Sequence, residues 1–312
     1  MIIKIVLLVI GFVLLVKGAD LFVDGAACVA KKLGVKELIV GLTIVAMGTS
    51  LPEAAVSITS ALDGNAGISV GNVVGSNILN VLIILGITSC ITGLAIHRST
   101  IRYEIPFVMV ITAIFALFGY TGGAITRPEG VILWVLFIIY IIYLFVMSKK
   151  DAQNEDDEET PSKDLSVPRC LIYIVAGAAM IKFGADFAVD GASGIARYIG
   201  ISERFIGLTI VALGTSLPEL VTSVIAAKKG SVDIAVGNIV GSNIFNILFV
   251  AGTTALIIDV PFEARFLIDA AVAFAALVIL WIGTVKTKEL KRPVGVIMLL
   301  AYAAYFIYLC MI

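Results

Sequence analysis

Charged side chains are scarce in this 312-residue chain, because Asp, Glu, Lys and Arg together make up 14% of it, against 60% hydrophobic residues. Soluble domains carry about 25% charged residues, which they need to keep their surface in water. The composition therefore excludes an ordinary water-soluble protein. It predicts a chain whose surface mostly contacts lipid.

The chain is also poor in the residues that bind nucleic acids or soft metals. The formal net charge is −1, so there is no basic surplus to neutralise several phosphates, and nucleic-acid binding is excluded. There is one histidine, and the cysteines form no CxxC pair. Neither a metal cluster nor a disulfide framework is indicated, and we expect the cysteines to be packing residues. They are Cys28, Cys90, Cys170 and Cys310.

Long apolar runs are what the sequence does have. A helix needs about 20 residues to cross a hydrocarbon core of about 30 Å. The first run lacks the basic start and the cleavage site of a signal peptide, so we count it as a membrane helix. The sequence thus predicts an all-α integral membrane protein with ten transmembrane helices. The ten runs lie at 2–23, 36–61, 68–95, 103–120, 130–147, 168–190, 203–226, 233–258, 265–284 and 293–311.

Two segments of the chain repeat each other closely. GLTIVAMGTSLPE at 41–53 returns as GLTIVALGTSLPE at 207–219 and differs at one position. GNVVGSNILNVL at 71–82 returns as GNIVGSNIFNIL at 237–248, shifted along the chain by the same offset. The two halves of the chain are therefore copies of one unit.

The number of spans between the copies predicts their relative orientation. Five predicted spans separate each residue from its copy. Five is odd, so the second copy is expected to be upside down in the membrane. The sequence therefore predicts two inverted five-helix repeats, at 1–148 and 167–312, joined by an acidic linker at 149–166. Inverted repeats are typical of secondary transporters, whose ion sites lie between the repeats near the midplane.

Lysine and arginine in the predicted loops indicate which side faces the cytoplasm. The loops on one side carry fifteen of these residues and those on the other carry five. Basic loops usually stay cytoplasmic. We therefore expect a multi-pass protein of the cell membrane with a cytoplasmic linker and both termini outside. The basic loops lie near 25–36, 96–102, 148–169, 227–231 and 285–292.

Two glutamates, Glu53 and Glu219, fall near the middle of otherwise uncharged spans. Ionisable residues within membrane spans are energetically expensive and usually functional. Each follows a proline, Pro52 or Pro218, which donates no backbone hydrogen bond. We therefore expect the carbonyls around Ala46 to Thr49 and Ala212 to Thr215 to lose their helical partners. In a membrane, freed carbonyls must line a polar cavity or bind a cation.

Hydroxyl and amide groups accompany the two glutamates. On a helix Thr49 and Ser50 stand four and three residues before Glu53, so they are expected to share its face, and the second half repeats this spacing. Oxygen ligands without His or Cys are hard ligands that suit Ca²⁺ and Na⁺. Small polar residues also join membrane helices, but beside two proline-flanked glutamates we interpret them as ion ligands. The remaining candidates are Thr215, Ser216, Ser76, Asn80, Ser242 and Asn246.

GTSLPE paired with GSNI, twice, resembles the alpha-repeats of the calcium/cation antiporter superfamily, specifically its sodium/calcium exchanger branch. The resemblance covers all ten predicted spans. It implies that spans two, three, seven and eight enclose the ions, and that spans one and six slide to alternate access. It also implies that Glu53 and Glu219 are shared Ca²⁺ ligands, helped by the carbonyls of Thr49 and Thr215. The implied Na⁺ sites are Ala46, Ser50, Ser76, Ala212, Ser216 and Ser242.

The sequence departs from the resemblance at Asn246, where many relatives have an aspartate. Asn246 instead matches Asn80 of the first half, so two carboxylates remain at the site. The resemblance therefore leaves open the calcium affinity and the number of sodium ions exchanged per calcium.

The predicted function is antiport of Na⁺ and Ca²⁺ across the bilayer. Glu53 and Glu219 cannot readily be occluded without charge compensation, whereas one Ca²⁺ or two monovalent cations would neutralise them. A proton/calcium antiporter, in which both glutamates take protons, stays open as the alternative. A cation channel would need a pore lined by several subunits, and an enzyme would need histidine partners, whereas His97 falls in a loop. We expect a monomer without a resident cofactor.

Overall fold

The computed structural model describes residues 1–64, 66–151, 166–200 and 212–311, and most of these residues are helical. Eight of the described helices are long and apolar enough to cross a membrane. In chain order the helices are α1 (Ile2–Leu33), α2 (Glu37–Thr49), α3 (Leu51–Leu62), α4 (Gly67–Ile91), α5 (Thr100–Gly122), α6 (Arg127–Asp151), α7 (Val167–Tyr198), α8 (Ala212–Gly214), α9 (Leu217–Lys228), α10 (Val232–Ile257), α11 (Arg265–Val285) and α12 (Arg292–Met311).

The predicted second span is broken at Ser50. Helices α2 and α3 meet there at an angle of 48° and form a ninth crossing if they are counted together. The break follows from Pro52, which lies in the first turn of α3 and cannot donate to the carbonyl of Gly48. Helices α8 and α9 are separated in the same way at Ser216. The start of the predicted seventh span, at 203–211, lies outside the described residues, as does most of the linker.

Helices α1 and α7 pack with their backbones in direct contact. A Cβ atom added at Gly11 would lie 2.5 Å from the nitrogen of Ala188, and one at Gly184 would lie 2.7 Å from the nitrogen of Leu15. Any side chain there would force the helices apart. The glycines recur every seven residues in both helices, at Gly11, Gly18, Gly25, Gly177, Gly184 and Gly191.

A disulfide between Cys28 and Cys170 also joins α1 to α7, with a Cα–Cα distance of 5.8 Å. The prediction that the cysteines only pack is wrong for this pair. The bonded residues are 142 positions apart, so their proximity depends on how the two long helices cross. Cys90 and Cys310 are free thiols.

Four short strands in the described part of the chain connect the two halves at their loops. They are β1 (Leu94–Ala95), β2 (Ala124–Ile125), β3 (Val260–Pro261) and β4 (Glu289–Leu290). β1 pairs with β4 and β2 pairs with β3, both antiparallel. Helix α10 is almost wholly buried and α4 is largely buried. These two helices therefore form the centre of the molecule, with α2, α3 and α9 against them.

Candidate cation-binding site

Glu53 and Glu219 lie in the first turns of α3 and α9, immediately after the two helix breaks. They are 1% and 0% exposed, and their carboxyl groups interact with each other. The amide groups at a helix N-terminus favour negative charge, so each break places a carboxylate where the backbone stabilises it. The structure thus brings the repeated glutamates of both halves together in one buried site.

The hydroxyl groups before Glu53 point to the other half of the molecule. Ser50 donates to Glu219 Oε1 at 2.7 Å, and Thr49 donates to Asn238 Oδ1 at 2.9 Å. The expectation that both share a helical face with Glu53 is wrong, because the helix bends at Ser50. The bend makes each half complete the site of the other.

Glu53 has neighbours from both halves as well. Ser76 Oγ lies 3.5 Å from Glu53 Oε1, and the Thr215 side chain also interacts with this carboxyl group. Ser216 Oγ is buried and has no hydrogen-bond partner among the described residues. Ala212 begins α8, and its side chain lies outside the described part. The arrangement around Glu53 therefore resembles that around Glu219 without matching it in every bond.

The carbonyl groups before the break are only partly freed. Ala46 O accepts a hydrogen bond from the backbone nitrogen of Ser50 at 3.0 Å, and Ser242 Oγ donates to it at 3.4 Å. The prediction that the Ala46 carbonyl loses its helical partner is therefore wrong. The carbonyl that Pro52 deprives of a donor is that of Gly48, four residues earlier.

Four asparagines form a reciprocal network between α4 and α10. Asn80 Nδ2 donates to Asn243 Oδ1 at 2.9 Å, and Asn246 Nδ2 donates to Asn77 Oδ1 at 3.1 Å. Asn77 and Asn243 donate in turn to each other's backbone carbonyls, at 3.2 and 3.4 Å. Widened, π-helical turns begin at Asn80 and Asn246, and such turns are frequent at functional sites. The network fixes how both of these amides are oriented.

Two further asparagines support the glutamate backbones. Asn72 Nδ2 donates to Glu53 O at 3.0 Å and to Ser57 Oγ at 2.8 Å, and Asn238 Nδ2 lies 3.5 Å from Glu219 O. Our sequence analysis missed these asparagines and the network pair 77 and 243. Their recurrence at the same offset in both GNxxGSN motifs was the available signal.

Besides the Ser216 hydroxyl, four carboxyl and amide oxygens at the site have no hydrogen-bond partner among the described residues. They are Glu53 Oε2, Glu219 Oε2, Asn80 Oδ1 and Asn246 Oδ1, and all four are buried. A buried polar atom without a partner carries the full cost of its desolvation. The nitrogens of both amides donate within the network and leave their oxygens unpaired, so the four oxygens together are suited to a hard cation.

Comparisons with known proteins identify the family of this chain. The family described as "Sodium/calcium exchanger protein" matches residues 3–146 and 170–311. The chain is 38% identical to CaxA of Alkalimonas amylolytica and 32% identical to sodium/calcium exchanger MaX1 of Methanosarcina acetivorans, with 98% of each chain covered in both cases. A solved structure of the sodium-calcium exchanger NCX_Mj, soaked with 10 mM Na⁺ and 10 mM Sr²⁺, has a TM-score of 0.84 and 31% identity over 98% of both chains. The chain is therefore a multi-pass membrane protein of the sodium/calcium exchanger family.

Proposed function

We propose that this protein exchanges Na⁺ for Ca²⁺ by alternating access, with Glu53 and Glu219 as the shared ligands. The observation that carries the proposal is the set of four buried acceptor oxygens without donors, two from each half. Family membership supports transport over catalysis, because the relatives are exchangers. The transported cations are substrates, and no resident cofactor is needed.

The number of carboxylates explains why such a site exchanges its ions. Two buried carboxylates without cations carry uncompensated charge, which is strongly unfavourable in a low-dielectric interior. One Ca²⁺ or at least two Na⁺ would neutralise the pair. Either load permits occlusion of the site and the empty site does not, so movement of one ion is coupled to return of the other.

Calcium in proteins takes about six to eight oxygen ligands. The two glutamates can supply carboxylate oxygens, and Asn80 and Asn246 can supply the amide oxygens that have no donor. We assign the remaining ligand oxygens to the backbone around each helix break and to nearby hydroxyls. The full proposed set is Glu53, Glu219, Thr49, Thr215, Asn80, Asn246, Ser50, Ser216, Ser76, Ser242, Ala46 and Ala212.

We also propose ten spans arranged as inverted repeats within one functional chain. The strand pairing supports this topology. β1 and β3 are equivalent by the sequence repeat, yet β1 pairs with a loop of the second half and β3 with a loop of the first. If the chain crosses the membrane ten times, an even number of spans separates the two strands of each pair, so they lie on the same side. An odd number separates the equivalent strands β1 and β3, so they lie on opposite sides. The excess of basic residues favours a cytoplasmic linker and external termini.

Helices α1 and α7 are the proposed moving elements. Both span 32 residues, and their glycines place backbone against backbone. The Cys28–Cys170 bond ties them together as well. We therefore expect the two helices to move as one unit relative to α2–α3 and α9.

Calcium uptake into proteoliposomes tests the proposal when the Na⁺ gradient and the pH gradient are varied separately. We expect an outward Na⁺ gradient to drive Ca²⁺ uptake at equal internal and external pH. Uptake driven by a pH gradient in the absence of Na⁺ would instead support proton/calcium antiport. Calcium flux that is indifferent to both gradients would indicate a channel and contradict exchange.

A further inference from the structure

Two cavities that do not include Glu53 or Glu219 meet at Arg102, near the start of α5. The larger has a volume of about 410 Å³ and lies between α5 and α6. Its walls are mainly aromatic and aliphatic, and rings stack along it, with Phe107 and Tyr140 at a centroid distance of 5.7 Å. The other residues that define it include Tyr103, Pro106, Val110, Ile139 and Tyr143.

The second cavity, of about 270 Å³, is basic. Arg98, Arg102 and Lys288 line it, together with Ile101 and Val285. The pairing of β1 with β4 brings these cations together from distant loops, and the nitrogen of Ile96 donates to Lys288 O at 2.9 Å. Among the residues that the structure describes, none of the three cations forms a salt bridge.

The basic cavity is not part of the repeated architecture. In the second half, the positions equivalent to Arg98 and Arg102 are Ala264 and Ile268, which carry no charge. The fold therefore does not require arginines at this place. Basic residues are common in the loops on this face, but here three of them line one cavity that adjoins an apolar one, and this combination suits an anionic ligand with an apolar part.

We propose that the paired cavities bind one phospholipid with an anionic headgroup. Its phosphate would lie among Arg98, Arg102 and Lys288, and an acyl chain would fill the apolar cavity between α5 and α6. Basic pockets beside membrane helices bind the headgroups of anionic lipids in this way. A soluble anion would not fill the adjoining apolar cavity, and a lipid without net charge would not neutralise the three cations.

A buried carboxyl group in the wall of the apolar cavity supports this direction of binding. Glu104 is 1% exposed there and accepts a hydrogen bond from the Tyr143 hydroxyl. Its carboxyl group would repel a phosphate that entered deeply. The phosphate is therefore confined to the basic cavity, and only the apolar part of the lipid can occupy the larger one.

Native mass spectrometry tests the proposal on protein equilibrated with equal amounts of chain-matched phosphatidylglycerol and phosphatidylcholine. We expect the wild-type protein to retain phosphatidylglycerol preferentially. The Arg98→Gln and Arg102→Gln changes should each lower that preference by about fivefold. The matched control is the pair Lys31→Gln and Lys228→Gln, which removes the same charge from exposed positions outside the cavities and should leave the preference unchanged.

A change in the apolar cavity provides an independent measurement. Phe107→Trp keeps every charge but alters the volume available to the acyl chain, so it should also reduce retained phosphatidylglycerol. A cooperative thermal unfolding transition of each variant shows that it is folded. Equal effects of the cavity and control pairs, no lipid preference in the wild-type protein, or displacement of the lipid by soluble glycerol phosphate would each overturn the proposal.

Discussion

Ser50 of the first half donates a hydrogen bond to Glu219 of the second half, with 2.7 Å between Oγ and Oε1. The contact spans 169 residues of sequence and exists because the helix bends at Ser50. A hydroxyl that donates to a carboxylate can also offer its lone pairs to a cation. The two halves are thus coupled through the group that we propose binds the ions.

Ser50→Ala should raise the Na⁺ concentration needed for half-maximal Ca²⁺ uptake. Hydrogen bonds to charged groups contribute about 1.5–3 kcal/mol, so an increase of about tenfold or more is expected. Ser60→Ala in the same helix is the control, because no hydrogen bond from Ser60 to either glutamate is present among the described residues. An unchanged Na⁺ dependence in Ser50→Ala would remove this hydroxyl from the site.

Asn77 and Asn243 should show strongly non-additive effects on stability. Asn243→Leu leaves the Asn80 amide without its acceptor, and an unsatisfied buried group costs about 1–3 kcal/mol. Because Asn77 and Asn243 also bond to each other's backbone, the double variant should lose less stability than the sum of the single variants. Thermal unfolding in detergent measures this. Additive shifts in melting temperature would contradict a single coupled network.

Asn246→Asp should change how transport depends on Ca²⁺ concentration and on pH. The variant places a third carboxyl group where Asn246 Oδ1 has no donor in the described structure. If ionised, it would favour divalent over monovalent cations, and its protonation would make transport more sensitive to pH between about 6 and 9. The control is Asn246→Leu, which removes the oxygen and should weaken transport. If the Ca²⁺ and pH profiles of both variants overlay those of the wild-type protein, position 246 is outside the site.

Lys229 ties the end of α9 to the proposed moving helix α1. Its Nζ lies 2.7 Å from Asp20 Oδ1 and 2.5 Å from Asp24 Oδ1. The two halves differ here. Asp20 has an aspartate, Asp186, as its counterpart in the second half, whereas the counterpart of Lys229 in the first half is Asp63, which cannot form the same ion pair. If α1 moves relative to α9, the ion pairs of Lys229 with Asp20 and Asp24 must break in each transport cycle.

Lys229→Gln should therefore alter the initial rate of Na⁺-driven Ca²⁺ uptake. Partly exposed ion pairs contribute about 0.2–1 kcal/mol, which corresponds to a change of about fivefold at most. Lys228→Gln removes the same charge from the neighbouring exposed position and should leave the rate unaltered. Identical rates in the two variants would argue against a contact that breaks during transport.

The sequence was sufficient to locate the eight long apolar helices that the structure describes and the two glutamates. Apolar runs and the near-identical segments of the two halves are local or directly readable signals. The partners of each glutamate were not readable, because they depend on where the helix breaks. A continuous helix would direct Ser50 toward Glu53, whereas the bend directs it to Glu219.

Contacts between helices that are distant in sequence could not be predicted from the sequence either. The Cys28–Cys170 bond and the asparagine network join residues more than 140 positions apart. Their formation depends on the crossing of α1 with α7 and of α4 with α10. Spacing along one helix carries no information about which side chains meet across such a crossing. The repeated glycines and asparagines mark these surfaces only once the packing is known.

The measurement that tests the central claim most directly is Na⁺-driven Ca²⁺ uptake by Glu53→Gln and Glu219→Gln in proteoliposomes. Each change removes half of the charge that balances Ca²⁺, so both variants should fold and lose uptake. Glu104→Gln is the matched control, because Glu104 is equally buried, lies elsewhere between α5 and α6, and should leave uptake intact. Wild-type uptake in either site variant would contradict the account, since the buried pair would then not be needed to carry the cation.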